Sequence, residues 1–305
     1  MTCLPPFFVV GMGRSGTTLL RMMLTHHPRL AIPYESGFLT RFEDEAGRFA
    51  PLDADENLRR LVEAMLAEPN LRRWDHRFTL EEILSAVTHR SVAGVADTIY
   101  GRYAAAKGKA RWGDKSDYLD RMHVLYRMFP RAQFIHIVRD GRDVALSVLK
   151  LAWGPNDVVR AAEWWDAHVA MARRVGAVMG PERYMEVLYE RLVEDPEREL
   201  RRCCAFLNEA YSPSMLEYAA GAPSAIPADT RSLHHGVDTA PYRTRVYAWK
   251  REMKPVDVAL FDRHAHRTLA ELGYEVPALD VPLPRLAMRY LMLVGRRLLE
   301  ARTAA

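Results

Sequence analysis

Cysteine is scarce: the 305 residues hold three, Cys3, Cys203 and Cys204. The number is odd and two are adjacent, so no disulfide framework follows, and a reducing, cytoplasmic compartment is the expectation. Long apolar runs are missing too. No basic segment precedes the short run Phe7 to Val10, which is too short for a signal peptide or a membrane span. Charge of one sign is not in excess. Lys and Arg number 43 against 39 Asp and Glu, a formal charge of +4. That balance does not argue for nucleic acid, but it fits a local basic pocket for an anion. There is no internal repeat and no low-complexity linker. Hydrophobic residues at 49% and charged residues at 27% describe an ordinary globule. The length allows a single domain, 1–305, with an elaborated cap.

The chain is organised around Phe7 to Glu35, FFVVGMGRSGTTLLRMMLTHHPRLAIPYE. Phe7 to Val10 is apolar and partly β-branched and reads as a buried parallel strand. Gly11, Gly13 and Gly16 make a turn, and Thr17 to Thr25 has helical periodicity. A strand, a glycine turn and a helix start aim backbone N–H groups and a positive dipole end at one point, the geometry that holds phosphate or sulfate. The spacing from Gly11 to Gly16 matches the start of a phosphate-binding P-loop, but the lysine that should follow is absent. Thr17 stands there, and the cation has moved inside the loop to Arg14. A nucleoside triphosphatase needs that lysine, so the loop suits an anion smaller than a triphosphate.

Further strands end on charged residues. Leu30 to Ile32 reads as a short strand followed by Glu35, and Arg111 to Ser116 as a strand exit carrying Lys115. By position alone Glu35 is a solvated loop residue or a base in a cleft, and Lys115 a helix-capping cation or a charge for a reacting group. Gln133 to Val138 is a strong strand, turned by Arg139 to Asp143 into a helix that carries Ser147. His136, between apolar neighbours, reads as a core histidine.

Arg14-Ser15-Gly16-Thr17-Thr18 resembles the 5′-phosphosulfate loop of sulfotransferases that use 3′-phosphoadenosine 5′-phosphosulfate (PAPS). Arginine at the head of that loop is more similar to the tyrosylprotein and bacterial branch than to the cytosolic branch. The resemblance implies that Gly13, Arg14, Ser15, Gly16, Thr17 and Thr18 hold the 5′-phosphosulfate. It implies that Arg139, with Ser147 eight positions later, holds the 3′-phosphate, where a guanidinium offers two parallel N–H bonds. It makes Glu35 the general base and Lys115 the cation on the transferring sulfuryl group, and it lets Tyr189 reach the adenine. Arg243 to Trp249 resembles a closing segment of bacterial members, placing Arg245, and with it Arg243, near the 3′-phosphate, and Trp249 and Lys250 beside the nucleotide. The Arg-Lys-Gly triplet of the cytosolic branch is absent.

Residues 41–110 read as a helical cap over the acceptor, with a capping box from Thr79 to Glu82. Asn156 to Met179 is a long helix whose Trp164 and Trp165 read as packing residues, and Asp195-Pro196 starts another helix. The loop-rich stretch 208–248 carries His234 and His235, either of which offers an alternative base. No ligand spacing argues for a metal. Leu283 to Ala301, within a C-terminal segment 282–305, is a basic amphipathic helix. Packing on its own domain or on a dimer partner is the expectation, ahead of contact with a membrane surface.

The resulting expectation is an α/β fold, a P-loop-like parallel sheet flanked by helices with a helical cap insertion. The resemblance implies an enzyme that transfers a sulfuryl group from PAPS to a hydroxyl or amine, leaving 3′-phosphoadenosine 5′-phosphate (PAP). The acceptor is a small molecule or carbohydrate class that the residues do not specify. A small-molecule kinase on the same scaffold and a non-catalytic PAPS-binding module are the competing readings.

Overall fold

The structure is a computed structural model that describes residues 4–219 and 243–303. Five strands, β1 (Phe7–Val10), β2 (Leu30–Ala31), β3 (Arg111–Lys115), β4 (Gln133–Val138) and β5 (Tyr184–Leu188), form one sheet in the order β2-β3-β1-β4-β5. Every pairing is parallel. Parallel strands need crossovers and are covered on both faces, which is why β1, β3 and β4 are buried along their whole length. The α/β sheet expected from the sequence is present. The glycine loop leaves β1 at the point where the strand order turns to opposite sides, the place where open α/β sheets take their ligands.

The crossovers supply the helices. α1 (Thr17–Thr25) follows β1. Between β2 and β3 come α2 (Leu39–Asp44), α3 (Asp55–Leu66), α4 (Leu80–Ala86) and α5 (Val92–Ala106). α6 (Met122–Met128) precedes β4, and α7 (Gly141–Val148) and α8 (Val158–Met179) follow it. α9 (Tyr189–Glu194) and α10 (Pro196–Phe206) follow β5; α11 (Trp249–Glu252), α12 (Pro255–Glu271) and α13 (Leu283–Thr303) close the chain. The expected caps form: the Thr79 hydroxyl accepts from Glu82 N–H at 3.1 Å and the Asp195 carboxylate from Arg198 N–H at 3.1 Å.

The chain divides into two compact units, Met1–Val138 with Ala172–Tyr242, and Arg139–Met171 with Arg243–Ala305. The first holds the sheet. Phe8 stacks on Phe134 at 5.3 Å, and Trp112 of β3 stacks on Tyr100 of α5 at 4.5 Å. Within 41–110, then, α5 lies on the sheet, while α3 and α4 pack on each other. His136 is a core histidine as expected. Its Nδ1 lies 2.6 Å from the Tyr184 hydroxyl, which donates to Glu186 at 2.9 Å, and burial pulls the imidazole down to about 3.

The second unit is knotted around Arg142, which is fully buried. Its guanidinium forks onto Asp140 at 3.0 and 2.8 Å, reaches Asp262 at 3.3 Å and lies 3.7 Å over the Trp249 ring. Trp165 is buried as expected and donates its indole N–H to the Arg139 carbonyl at 3.1 Å.

Gly11 marks the closest backbone approach beside the loop. A Cβ there would sit 2.6 Å from the Ile137 carbonyl oxygen and 2.9 Å from Thr17 Cγ2. Gly11→Ala is expected to lower stability by about 1–3 kcal/mol through overpacking, read as a lower urea midpoint at unchanged slope.

Candidate active site

The loop after β1 is shaped by its backbone. Ser15 N–H bonds to the Met12 carbonyl at 3.1 Å, Arg14 has φ +74° and Gly16 φ +93°. Gly16 caps α1 in the left-handed conformation with no side chain bonded to the helix start. The first N–H groups of a helix have no intrahelical partner, and a glycine at the cap brings no side chain to them. Ser15 and Thr17 are buried, Arg14 and Thr18 half-buried and Gly13 exposed. Tyr189, the first residue of α9, packs its ring against Gly16; a Cβ on Gly16 would lie 2.4 Å from Tyr189 Cδ2. The sequence-predicted loop and Tyr189 thus come together in one unit.

Glu35 and Lys115 form an ion pair. Lys115 is the last residue of β3, in register with Val9 of β1 just before the loop. The pair is half sunk, with the Lys115 side chain 10% exposed and that of Glu35 31%. An acid-base group and a cation therefore meet at the carboxyl edge of the sheet, beside the strand that carries the loop.

A buried clamp that sequence reasoning missed holds this pair. Asp114 precedes Lys115 and Ser36 follows Glu35; both are buried, and the Ser36 hydroxyl donates to Asp114 Oδ2 at 2.7 Å. The Ser116 hydroxyl accepts from the Ser36 and Gly37 amides at 3.0 and 3.1 Å and donates to Asp114 Oδ1 at 3.2 Å. Tyr118 extends the chain, its hydroxyl 3.1 Å from Ser36 Oγ and accepting from Leu39 N–H at 3.1 Å. Each hydroxyl is used as donor and acceptor, so a buried carboxylate is satisfied while it ties the loop after β2 to the end of β3. Burial still pushes Asp114 up to about 6, against the hydrogen bonds from Ser36 and Ser116.

Arg21 was also missed. It sits on α1 among Leu20, Met22 and Met23, is buried, and donates to the Pro33 carbonyl at 3.3 Å. Burial lowers its pKa, and the charge of Glu35 opposes that shift. Such a cation needs an anion close by. The sequence carried no signal for this, since Arg21 falls in line with Thr17 and Thr25 at four-residue steps and reads as part of a polar stripe on α1.

In the other unit, Arg139 stands just ahead of α7, which itself carries Asp143 and Ser147 four residues apart. Arg139 lies 3.6 Å from Asp143, and its Nη2 donates to the Arg245 carbonyl at 2.7 Å. Asp143 is pushed up by burial and drawn back by Arg139, and it accepts the Trp249 N–H at 2.8 Å. Arg139 and Arg245 are therefore brought together, through the backbone of Arg245. The Arg245 side chain is 55% exposed, 3.7 Å from Glu252. Trp249 is spent on structure: its indole N–H donates to Asp140 at 2.9 Å beneath the Arg142 stack. Lys250 pairs with Glu275 at 2.6 Å. His234 and His235 lie outside the described residues.

Asp114 carries a pH signature. Its folded pKa, about 6, exceeds the ordinary carboxyl value of 3.8, so the folded chain binds the proton first, and wild type gains stability as pH falls between those values. The stability of wild type relative to Asp114→Asn is expected to rise by up to about 3 kcal/mol from about pH 7 to about pH 4, measured by urea denaturation. A difference that stays flat would mean an ordinary carboxyl.

Residues 5–213 match the model of the sulfotransferase family. The nodulation protein NoeE of Sinorhizobium fredii is 32% identical over 247 residues, 70% of this chain and 51% of that protein. A protein-tyrosine sulfotransferase of Drosophila melanogaster is 25% identical over 221 residues, 70% of this chain and 40% of its own. The chain thus spans about half the length of such relatives. Two solved structures share the fold: the sulfotransferase domain of a Synechococcus olefin synthase (TM-score 0.63, 24% identity, 89% of this chain and 96% of that one) and that of the curacin biosynthetic pathway (TM-score 0.59, 22% identity, 90% and 100%). With a family match that covers more than half of its residues, from the strand ahead of the glycine loop through α10, the chain belongs to the sulfotransferase family.

Proposed function

We propose that this chain transfers a sulfuryl group from PAPS to a hydroxyl or amine of an acceptor, directly and in line. The observation that carries the reading is the Glu35–Lys115 pair at the end of β3, beside the strand that leads into a glycine-shaped helix start. The backbone N–H groups at that helix start, Arg14 and the hydroxyls of Ser15, Thr17 and Thr18 suit a 5′-phosphosulfate by donor chemistry and dipole. Arg139 and Ser147 are the residues proposed for the 3′-phosphate, with Arg245 as a further cation and Tyr189 for the adenine.

When bound, PAPS supplies the sulfuryl group and keeps the electron pair of its broken S–O bond, leaving as PAP. Glu35 takes the acceptor's proton on a carboxylate oxygen as the new S–O or S–N bond forms. Lys115, fixed at the strand end, offsets the negative charge that builds on the transferring oxygens, and so favours the transition state over the ground state. Asp114, Ser36 and Ser116 keep the two side chains from drifting apart. Arg21 places a second buried cation next to the base.

The decisive experiment is calorimetric binding of PAP against ADP with Mg²⁺ to wild type and Arg139→Ala. PAP is expected to bind more tightly, and the substitution to cost roughly 10- to 100-fold in PAP affinity while leaving ADP unaffected, in line with the loss of a charge-assisted bond. No preference for the 3′-phosphate, or turnover of ATP with Mg²⁺, would overturn the reading in favour of a kinase. Glu35→Gln is expected to lower turnover by about 10²–10⁴ with PAP affinity unchanged. Undiminished turnover in that variant, with an acceptor in hand, would remove Glu35 as the base.

A further inference from the structure

The C-terminal helix α13 wears its apolar side outward. Leu283 is 73% exposed, Met288 56%, Leu291 63% and Met292 59%. Leu283, Ala287 and Leu291 recur at four-residue steps, and Met288 and Met292 run alongside, so these residues share one broad face. The helix rests on its own unit along a narrow strip. Leu293 is buried there, and Arg289 forks onto Asp257 of α12 at 2.8 and 3.2 Å. A cavity of about 420 Å³, walled by Leu146, Leu149, Met253 and Leu293 among others, lies along that strip. Packing on its own domain, expected from the sequence, therefore accounts for one side of the helix only. A contiguous exposed apolar face on a soluble unit marks an interaction surface.

Charge narrows the partner. From Leu283 to Leu299 the helix has four arginines and no acidic residue. Arg285 and Arg296 are exposed and flank the Met292 edge of the apolar face. A second copy docked on this face would bring one basic edge against another, because the face itself carries no carboxylate. An anionic lipid surface offers what both parts of the face require: phosphates at headgroup depth for the arginines, and acyl chains just below for Leu283, Met288, Leu291 and Met292. Among the described residues no helix is long and apolar enough to cross a membrane, so the contact is one that lies in the interface. We propose that α13 is a membrane-docking helix that seats this face in the headgroup layer of an anionic bilayer.

The test is co-sedimentation of the full chain with vesicles of phosphatidylcholine alone and of phosphatidylcholine with phosphatidylglycerol, at low and high salt. Binding is expected to the anionic vesicles only and to weaken as salt rises. Met288→Glu with Leu291→Glu should abolish it, with an unchanged circular dichroism melt because both side chains are exposed. Arg285→Gln and Arg296→Gln should each weaken it about fivefold. The proposal falls if anionic vesicles capture nothing, or if the double glutamate variant binds as wild type does. It falls equally if light scattering shows a concentration-dependent dimer that the glutamate variant dissolves, because the face would then belong to a second copy.

Discussion

A parallel sheet whose central strand is left in opposite directions by the chain brings the ends of several strands to one edge, and the chemistry of the first unit depends on that constraint. β1 sits between β3 and β4. Its own end becomes the glycine loop, and the end of β3 becomes Lys115. The loop can lie this close only because Gly11 has no side chain to meet the Ile137 carbonyl. The backbone geometry that suits an anion and the strand register that presents a lysine are thus two results of one topology.

Placing charged groups at such an edge costs desolvation, and the chain answers with hydrogen bonds rather than with exposure. Asp114 is fully buried but accepts from two serine hydroxyls, and those hydroxyls also serve backbone amides on the loop behind Glu35. The same solution recurs in the second unit, where buried Arg142 is forked onto Asp140 and covered by Trp249. A half-satisfied network would cost more than an apolar core, so rigidity comes with full satisfaction. Glu35 and Arg139 are each neighbours of such a knot, and their positions are set by groups that do not themselves face the reacting atoms.

How much of this was legible follows from range. The strand–loop–helix from Phe7 to Thr25, the strand Gln133 to Val138 and the caps at Thr79 and Asp195 rest on neighbouring residues, and each stands where the sequence placed it. The clamp was illegible because Ser36 and Asp114 are 78 residues apart, and short polar residues near a glycine read as solvated loop. Trp249 shows the same limit from the other side. Its neighbourhood reads as a nucleotide edge, yet the partners that capture it, Asp140 and Arg142, belong to the start of α7. The 41–110 segment read as one helical cap because helical spacing looks alike in a cap and in a crossover; Tyr100 stacking on Trp112 puts α5 on the sheet.

Periodicity carries a deeper ambiguity, visible at the end of the chain. An apolar stripe at 3.6-residue spacing says that one face of a helix avoids water, but not which way that face turns. For α1 the answer is inward, and even its arginine is buried with it. For α13 one salt bridge decides. Arg289 lies away from the apolar stripe, and its pairing with Asp257, beside buried Leu293, sets that side of the helix toward α12, leaving Leu283, Met288 and Leu291 facing out. A helix that buries Leu293 and one arginine pair against its own domain while its broader apolar face stays outward is arranged the reverse way from a core helix. The charge sequence alone, four arginines without a compensating acid before Glu300, already distinguishes it from the helices that cover the sheet.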